Sequence, residues 1–232
     1  MTPEARPAAG RLTTALLTAG VVGGSLIATV SLTLAFVRPG FDLARHANSM
    51  LVLGDWGWIQ TVNFIVCGLL LIAFGAGIWR VAPGVRAGRA AAVCMVLYGL
   101  LAGVVVGLNP TDPGFGFPPG APQGYPGAEG LSTSAKIHGV AGGLGFLAAT
   151  VGCFALARYF AYLGDRFWMA VSVVVGVAVL AVGGYLGLNA DAQTDAFNYV
   201  PAWVSGAALW LFIVAVAARL LHSHRDAHVG TE

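Results

Sequence analysis

An all-α polytopic membrane protein with six transmembrane helices is the fold class this sequence predicts, and three observations carry it. Of 232 residues, 57% are hydrophobic and only 9% charged, with a mean hydropathy of +0.79; a soluble domain averages roughly 45–50% apolar and about 25% charged residues. Six charge-free runs are each long enough for the ~20 apolar residues that a helix needs to cross ~30 Å of hydrocarbon. The cations fall mainly on alternate boundaries between those runs. Such a composition excludes an ordinary cytosolic enzyme, a nucleic-acid binder and a disordered chain, and a net charge of +2 is too small to call for a polyanionic partner.

The runs place spans at about 12–37, 56–79, 90–109, 137–157, 167–190 and 198–218, one six-helix domain over residues 1–232. Helices satisfy their own backbone groups where water is absent, which is why they are the expected spanning element. The first run has a basic start, but its apolar stretch far exceeds the 7–15 residues usual in a signal peptide, and no clean A-x-A site follows; a retained helix is expected. Arg6, Arg11, Arg80, Arg86, Arg89, Arg158, Arg166, Arg219 and Arg225 lie on the odd boundaries, against Arg38, Arg45 and Lys136 on the even ones. This bias predicts both termini in the cytoplasm. The excess of Arg over Lys, with abundant Ala and Gly, suggests a GC-rich bacterial genome and hence a bacterial plasma membrane.

Cys67, Cys94 and Cys153 all fall inside spans, where free Cys packs as a small apolar residue, so no disulfide framework is expected. Gly99, Gly103 and Gly107, then Gly139 and Gly143, then Gly183 and Gly187 recur every four residues. Small residues at this spacing let helices approach closely in lipid, and all three sets are read as packing surfaces.

The polar residues concentrate on the outer side. After the Pro39-Gly40 break, residues 41–50 read as a short amphipathic helix at the membrane surface, with Asp42, Arg45, His46 and Ser49 on one face. Trp56, Gln60, Asn63 and Cys67 form a stripe expected to face the bundle, since amides within a bilayer seek a partner. Asn109 opens a loop of about 25 residues that carries six Pro and six Gly between Pro110 and Gly130. Loops of this length are functional lids or flexible connectors; Phe115, Phe117 and Tyr125 favour a lid folded back over the bundle. Ser132 and Ser134 then supply a cap for helix 4, just ahead of His138. His222, His224 and His228 in the C-terminal tail read as solvated residues.

The segments Phe41-Asp42…Arg45-His46…Ser49, Gly57-Trp58-Ile59-Gln60…Asn63-Phe64, Asp112…Gly116-Phe117-Pro118-Pro119-Gly120 and His138-Gly139 resemble a family of mostly bacterial integral membrane proteins catalogued as domain of unknown function 998. The resemblance covers nearly the whole chain and is least distinctive in helices 5 and 6, where Asn189 and Asp191 lie. It implies a six-helix bundle with its shared polar residues at the outer side, and thereby the location of a site rather than its chemistry.

Two classes of function fit these residues. In an enzyme acting on a lipophilic substrate, His46 and His138 would move protons, oriented by Asp42 and Asp112, in a hydrolysis, isomerisation or cyclisation. Arg45, Ser49, Trp56, Gln60, Asn63 and Asn109 would line the substrate. No G-x-S-x-G elbow supports Ser49 as a nucleophile. A zinc variant would use His46, His138 and Asp112, since catalytic zinc takes three protein ligands, though no H-E-x-x-H is present. In the other class the same pocket holds a membrane lipid or small molecule without chemistry, or seats an assembly partner.

Overall fold

In the computed structural model, residues 5–127, 129–188 and 198–229 are described. Six long helices account for most of them: α1 (Ala5–Val37), α2 (Gly57–Val81), α3 (Arg86–Leu108), α4 (Thr133–Tyr162), α5 (Arg166–Leu188) and α6 (Val200–Val229). All six are long and apolar enough to cross a membrane. Each packs on its neighbours in the chain and α6 returns to α1, closing a ring. The start of α1 and the end of α6 share one end with the tight turns at 82–85 and 163–165, here the hairpin end; His224 reaches the Gly10 carbonyl there, Nε2 to O at 3.3 Å. Residues 38–56, 109–132 and 198–199 form the opposite, cap end. Asn189, Asp191 and Asp195 lie outside the described residues, as does the His228 side chain.

Two packed clusters fill the ring. Towards the hairpin end, Leu17, Phe74, Ile78, Leu156, Phe160, Ile213 and Val216 interlock; towards the cap, Ile27, Leu51, Phe64, Val106, Trp203 and Trp210 do so. The glycines of α3 work as read. A Cβ on Gly103 would stand 2.5 Å from Gly68 Cα, and one on Gly68 would stand 2.5 Å from the Gly99 carbonyl, so α2 and α3 cross backbone on backbone. At that crossing α3 widens into a π-helix over Gly99–Val105, a local form often found at functional sites.

The remaining glycine pairs correct the expectation of close packing. A Cβ on Gly139, Gly143, Gly183 or Gly187 would meet nothing within 4 Å. Helix α4 instead seats itself on α3 through Gly145, whose Cβ would stand 2.7 Å from Ala102 Cβ. Four-residue spacing marks a smooth face, but which smooth face is covered depends on how the helix is rotated in the ring. Helix α5 is the most exposed of the six, with 17% of its apolar window buried against 44–56% for the others.

The surface helix expected over 41–50 is also corrected. Residues 41–47 form a single turn around Asp42, followed by a short 3-10 helix at Asn48–Val52. Arg45 and His46 amides both reach the Asp42 carbonyl, at 3.1 and 2.8 Å, while the Asp42 carboxylate takes the Ala44 amide at 2.8 Å. The carbonyls that would continue a helix are taken by the start of α6: Ala44 O accepts from the Tyr199 amide at 2.8 Å, and His46 O from Trp203 Nε1–H at 2.9 Å. Helical periodicity was present, but tertiary partners outbid the helix for its own backbone.

Candidate functional site

The cap is built around His46, which is only 2% exposed. Its Nδ1 accepts the Asp42 amide at 2.8 Å, and its Nε2 lies 3.0 Å from the Phe115 carbonyl. A backbone amide can only donate and a carbonyl can only accept, so the ring is the neutral Nε2–H tautomer. Phe41 and Phe117 flank it with centroids at 5.1 and 5.3 Å. Burial lowers the His46 pKa; the Phe115 carbonyl and the Asp42 charge oppose that shift, and Arg45 adds to it. Nδ1 thus fixes the ring within the 38–56 segment, and Nε2–H fastens that segment to the 109–132 loop.

Arg38 makes a second fastening from the end of α1. Its guanidinium donates to the Leu51 and Leu53 carbonyls at 3.0 and 2.6 Å and lies 5.1 Å from the centre of the Phe117 ring. Phe117 is fully buried, and Phe115 and Met50 are nearly so. Phe115 adopts φ +53°, a left-handed conformation that costs a non-glycine residue roughly 1–2 kcal/mol. It is held there by the His46 bond and by ring stacking on Tyr125 at 5.4 Å. Tyr125 in turn pairs with Thr111, hydroxyl to hydroxyl at 2.7 Å.

Beneath the cap, the stripe on α2 does face the bundle. Gln60 Nε2 donates to Ser31 Oγ at 2.9 Å and Asn48 Oδ1 at 3.3 Å; Asn63 Nδ2 donates to Gln60 Oε1 at 3.1 Å; Cys67 Sγ donates to Asn63 Oδ1 at 3.3 Å. Gln60 is fully buried and Asn63 is 4% exposed. Trp56 stands apart from this stripe, 57% exposed beside Trp58 at 66%. Such aromatic residues favour a membrane–water boundary.

His138 belongs to a different neighbourhood. It sits in the second turn of α4, whose start is capped by Ser132 Oγ accepting the Ala135 amide at 3.1 Å. Its Nδ1 lies 2.7 Å from the Asn109 carbonyl at the end of α3. The Nδ1–H therefore donates, and in the neutral ring Nε2 carries the lone pair. The Asn109 side chain turns back to the Val105 carbonyl at 2.8 Å.

The expected constellation is consequently divided. His46 is held by Asp42 and Phe115, His138 by Asn109, and the two rings share none of these partners. Backbone groups orient both imidazoles, where carboxylates were expected to do so. The Asp112 carboxylate accepts the Ser132 amide at 2.8 Å and thereby closes the ends of the long loop. Arg45 reaches Gln123 Oε1 at 3.4 Å, and Ser49 sits half-buried in the 3-10 helix. Among the described residues no group of three His, Cys, Asp or Glu is gathered for a metal, so His46, His138 and Asp112 do not form the ligand set that a zinc site would need. Ser31, Arg38, Asn48 and Trp203 hold the site together without having stood out in the sequence. Only their polar or amphipathic type inside apolar runs could have marked them.

A family model described as Protein of unknown function (DUF998) matches residues 21–222. No curated protein and no solved structure matches the chain.

Proposed function

We propose that this chain, which belongs to the DUF998 family, is a bacterial plasma-membrane protein that binds a lipid or lipophilic small molecule at its cap end without covalent chemistry. The observation that carries this reading is the use of both His46 nitrogens on backbone groups, which leaves that ring no proton to exchange while the cap is closed. A rigid, internally satisfied cap is what a preformed binding site requires. The polar contact we assign to the ligand is the His138 ring, whose Nδ1–H is committed to the Asn109 carbonyl. Next to it on α4, Gly139 and Gly143 leave an open strip where an acyl chain can lie flat. The arginine bias supports the cap as the extracytoplasmic end, with both termini in the cytoplasm.

A second reading is favoured by the same His138 geometry. An imidazole whose Nδ1–H is fixed on a carbonyl keeps its lone pair on Nε2, a tautomer that suits acid–base catalysis of a hydrolysis, isomerisation or cyclisation. In that case His46, Asp42 and Asp112 support the cap and His138 works alone. Mass spectrometry of the detergent-purified protein separates the two. A retained lipophilic molecule, unchanged on incubation and lost in His138→Ala, is the expected result. Conversion of that molecule to a product would replace binding by catalysis, and equal retention in His138→Ala would remove His138 from the site.

A further inference from the structure

The hairpin end carries a feature that the cap does not explain. The α2–α3 turn is jammed against the end of α4: a Cβ on Gly88 would stand 2.4 Å from Ala82 Cβ and 3.0 Å from Tyr159 Cδ2, and the Tyr159 hydroxyl donates to the Val81 carbonyl at 3.4 Å. This contact brings Arg86 and Arg89, from the start of α3, to the same rim as Arg158 on α4 and Arg166 at the start of α5. All four are exposed, and among the described residues none of them pairs with a carboxylate. The nearby acid Asp165 is already used, with Oδ2 on Arg219 at 3.1 Å and Oδ1 on the Trp168 amide at 3.3 Å.

The rim is also aromatic. Trp79, Tyr162 and Phe167 are 47%, 71% and 67% exposed, and the Arg89 guanidinium lies 5.1 Å from the centre of the Trp79 ring. Exposed aromatics of this kind sit at headgroup depth on a membrane protein. Arginine forks match phosphate oxygens bidentately, and basic residues beside a bilayer recruit anionic lipids.

The geometry points to a binding site for the phosphate headgroup of an anionic phospholipid on this rim, formed by Arg86, Arg89 and Arg158, with the acyl chains against Trp79 and Tyr162. A negative headgroup supplies the charge that the rim lacks, and a zwitterionic headgroup of the same chain length does so poorly. The site lies at the opposite end from His138, so its test stands apart from that of the proposed function.

The full chain in neutral detergent, titrated with phosphatidylglycerol or with phosphatidylcholine of identical acyl chains, tests this by native mass spectrometry and thermal melting. Wild-type protein should retain phosphatidylglycerol preferentially and melt higher with it. The R86Q/R89Q/R158Q variant should hold it about tenfold or more weakly, on the usual contribution of basic residues beside an anionic surface. Lys136→Gln, at the cap end, should leave the preference unchanged. Should the triple variant not fold, Arg86→Gln and Arg158→Gln singly carry the same test with smaller losses. Equal retention of the two lipids, an unchanged preference in the arginine variants, or displacement of the lipid by millimolar inorganic phosphate would overturn the site.

Discussion

At the scale of the residue, His46 turns an apparent catalytic group into a latch. Its neutral form is required by Nδ1, which accepts an amide and so can carry no proton, while Nε2–H donates to a carbonyl. Burial depresses its pKa below the ordinary value of 6.5, with Asp42 and Arg45 the charged groups that act on it. A depressed histidine pKa means that the unfolded chain takes up the proton first as pH falls. The latch therefore contributes its full stability above about pH 6.5, and that contribution declines as pH falls from there through the lower folded value. We expect the melting midpoint to drop between pH 7.5 and 5 more steeply in the wild type than in His46→Gln. Parallel pH profiles for the two proteins would show that His46 is not the titrating latch. His46→Ala should destabilise at any pH, by roughly 1–3 kcal/mol, since the Asp42 amide and the Phe115 carbonyl are left facing a void. The sequence marked His46 as a residue of consequence. It could not reveal the role, because the two partners that decide it are backbone atoms, and one of them is 69 residues away.

At the scale of the element, the helices themselves were legible and their rotations were not. Charge-free runs fixed the six spans to within a few residues at most boundaries, because hydrocarbon tolerates so few charges; the outer helices simply continue past them, α1 from Ala5 and α6 to Val229. The Gln60, Asn63 and Cys67 stripe was readable for a related reason, that amides must find partners in a bilayer. Glycine spacing was ambiguous, since a smooth face serves a neighbouring helix and open surroundings equally well. Substitution distinguishes them. Gly103→Ala drives a methyl into the Gly68 backbone and should destabilise by on the order of 1–3 kcal/mol. Gly139→Ala and Gly183→Ala meet open space and should be neutral or slightly stabilising, through the better helix propensity of alanine. Melting of the three variants in one detergent checks this. A loss at Gly183 equal to that at Gly103 would mean that α5 is covered by something other than this chain.

At the scale of the whole molecule, the two ends are made differently, and the difference bears on orientation. The cap end turns two of its cations to internal structure, Arg38 on two carbonyls and Arg45 towards Gln123, and leaves Lys136 exposed on the first turn of α4. The hairpin end instead displays exposed arginines next to exposed aromatics. Cations near short turns resist translocation, whereas the cap cations at Arg38 and Arg45 belong to a segment that folds against the bundle. The asymmetry predicts that reporter fusions at the C-terminus and in the 163–165 turn report the cytoplasm, and that a fusion at the exposed Pro119-Gly120 corner reports the other side. Replacing Arg80, Arg86 and Arg89 together by Gln should produce a mixed-topology population with those same reporters, because the 82–85 turn then loses its charge signal. A C-terminal reporter active only outside the cytoplasm would invert the assignment and move the His138 strip to the inner leaflet. The binding experiment on His138 would keep its meaning, while the pool of lipids offered to that strip would change.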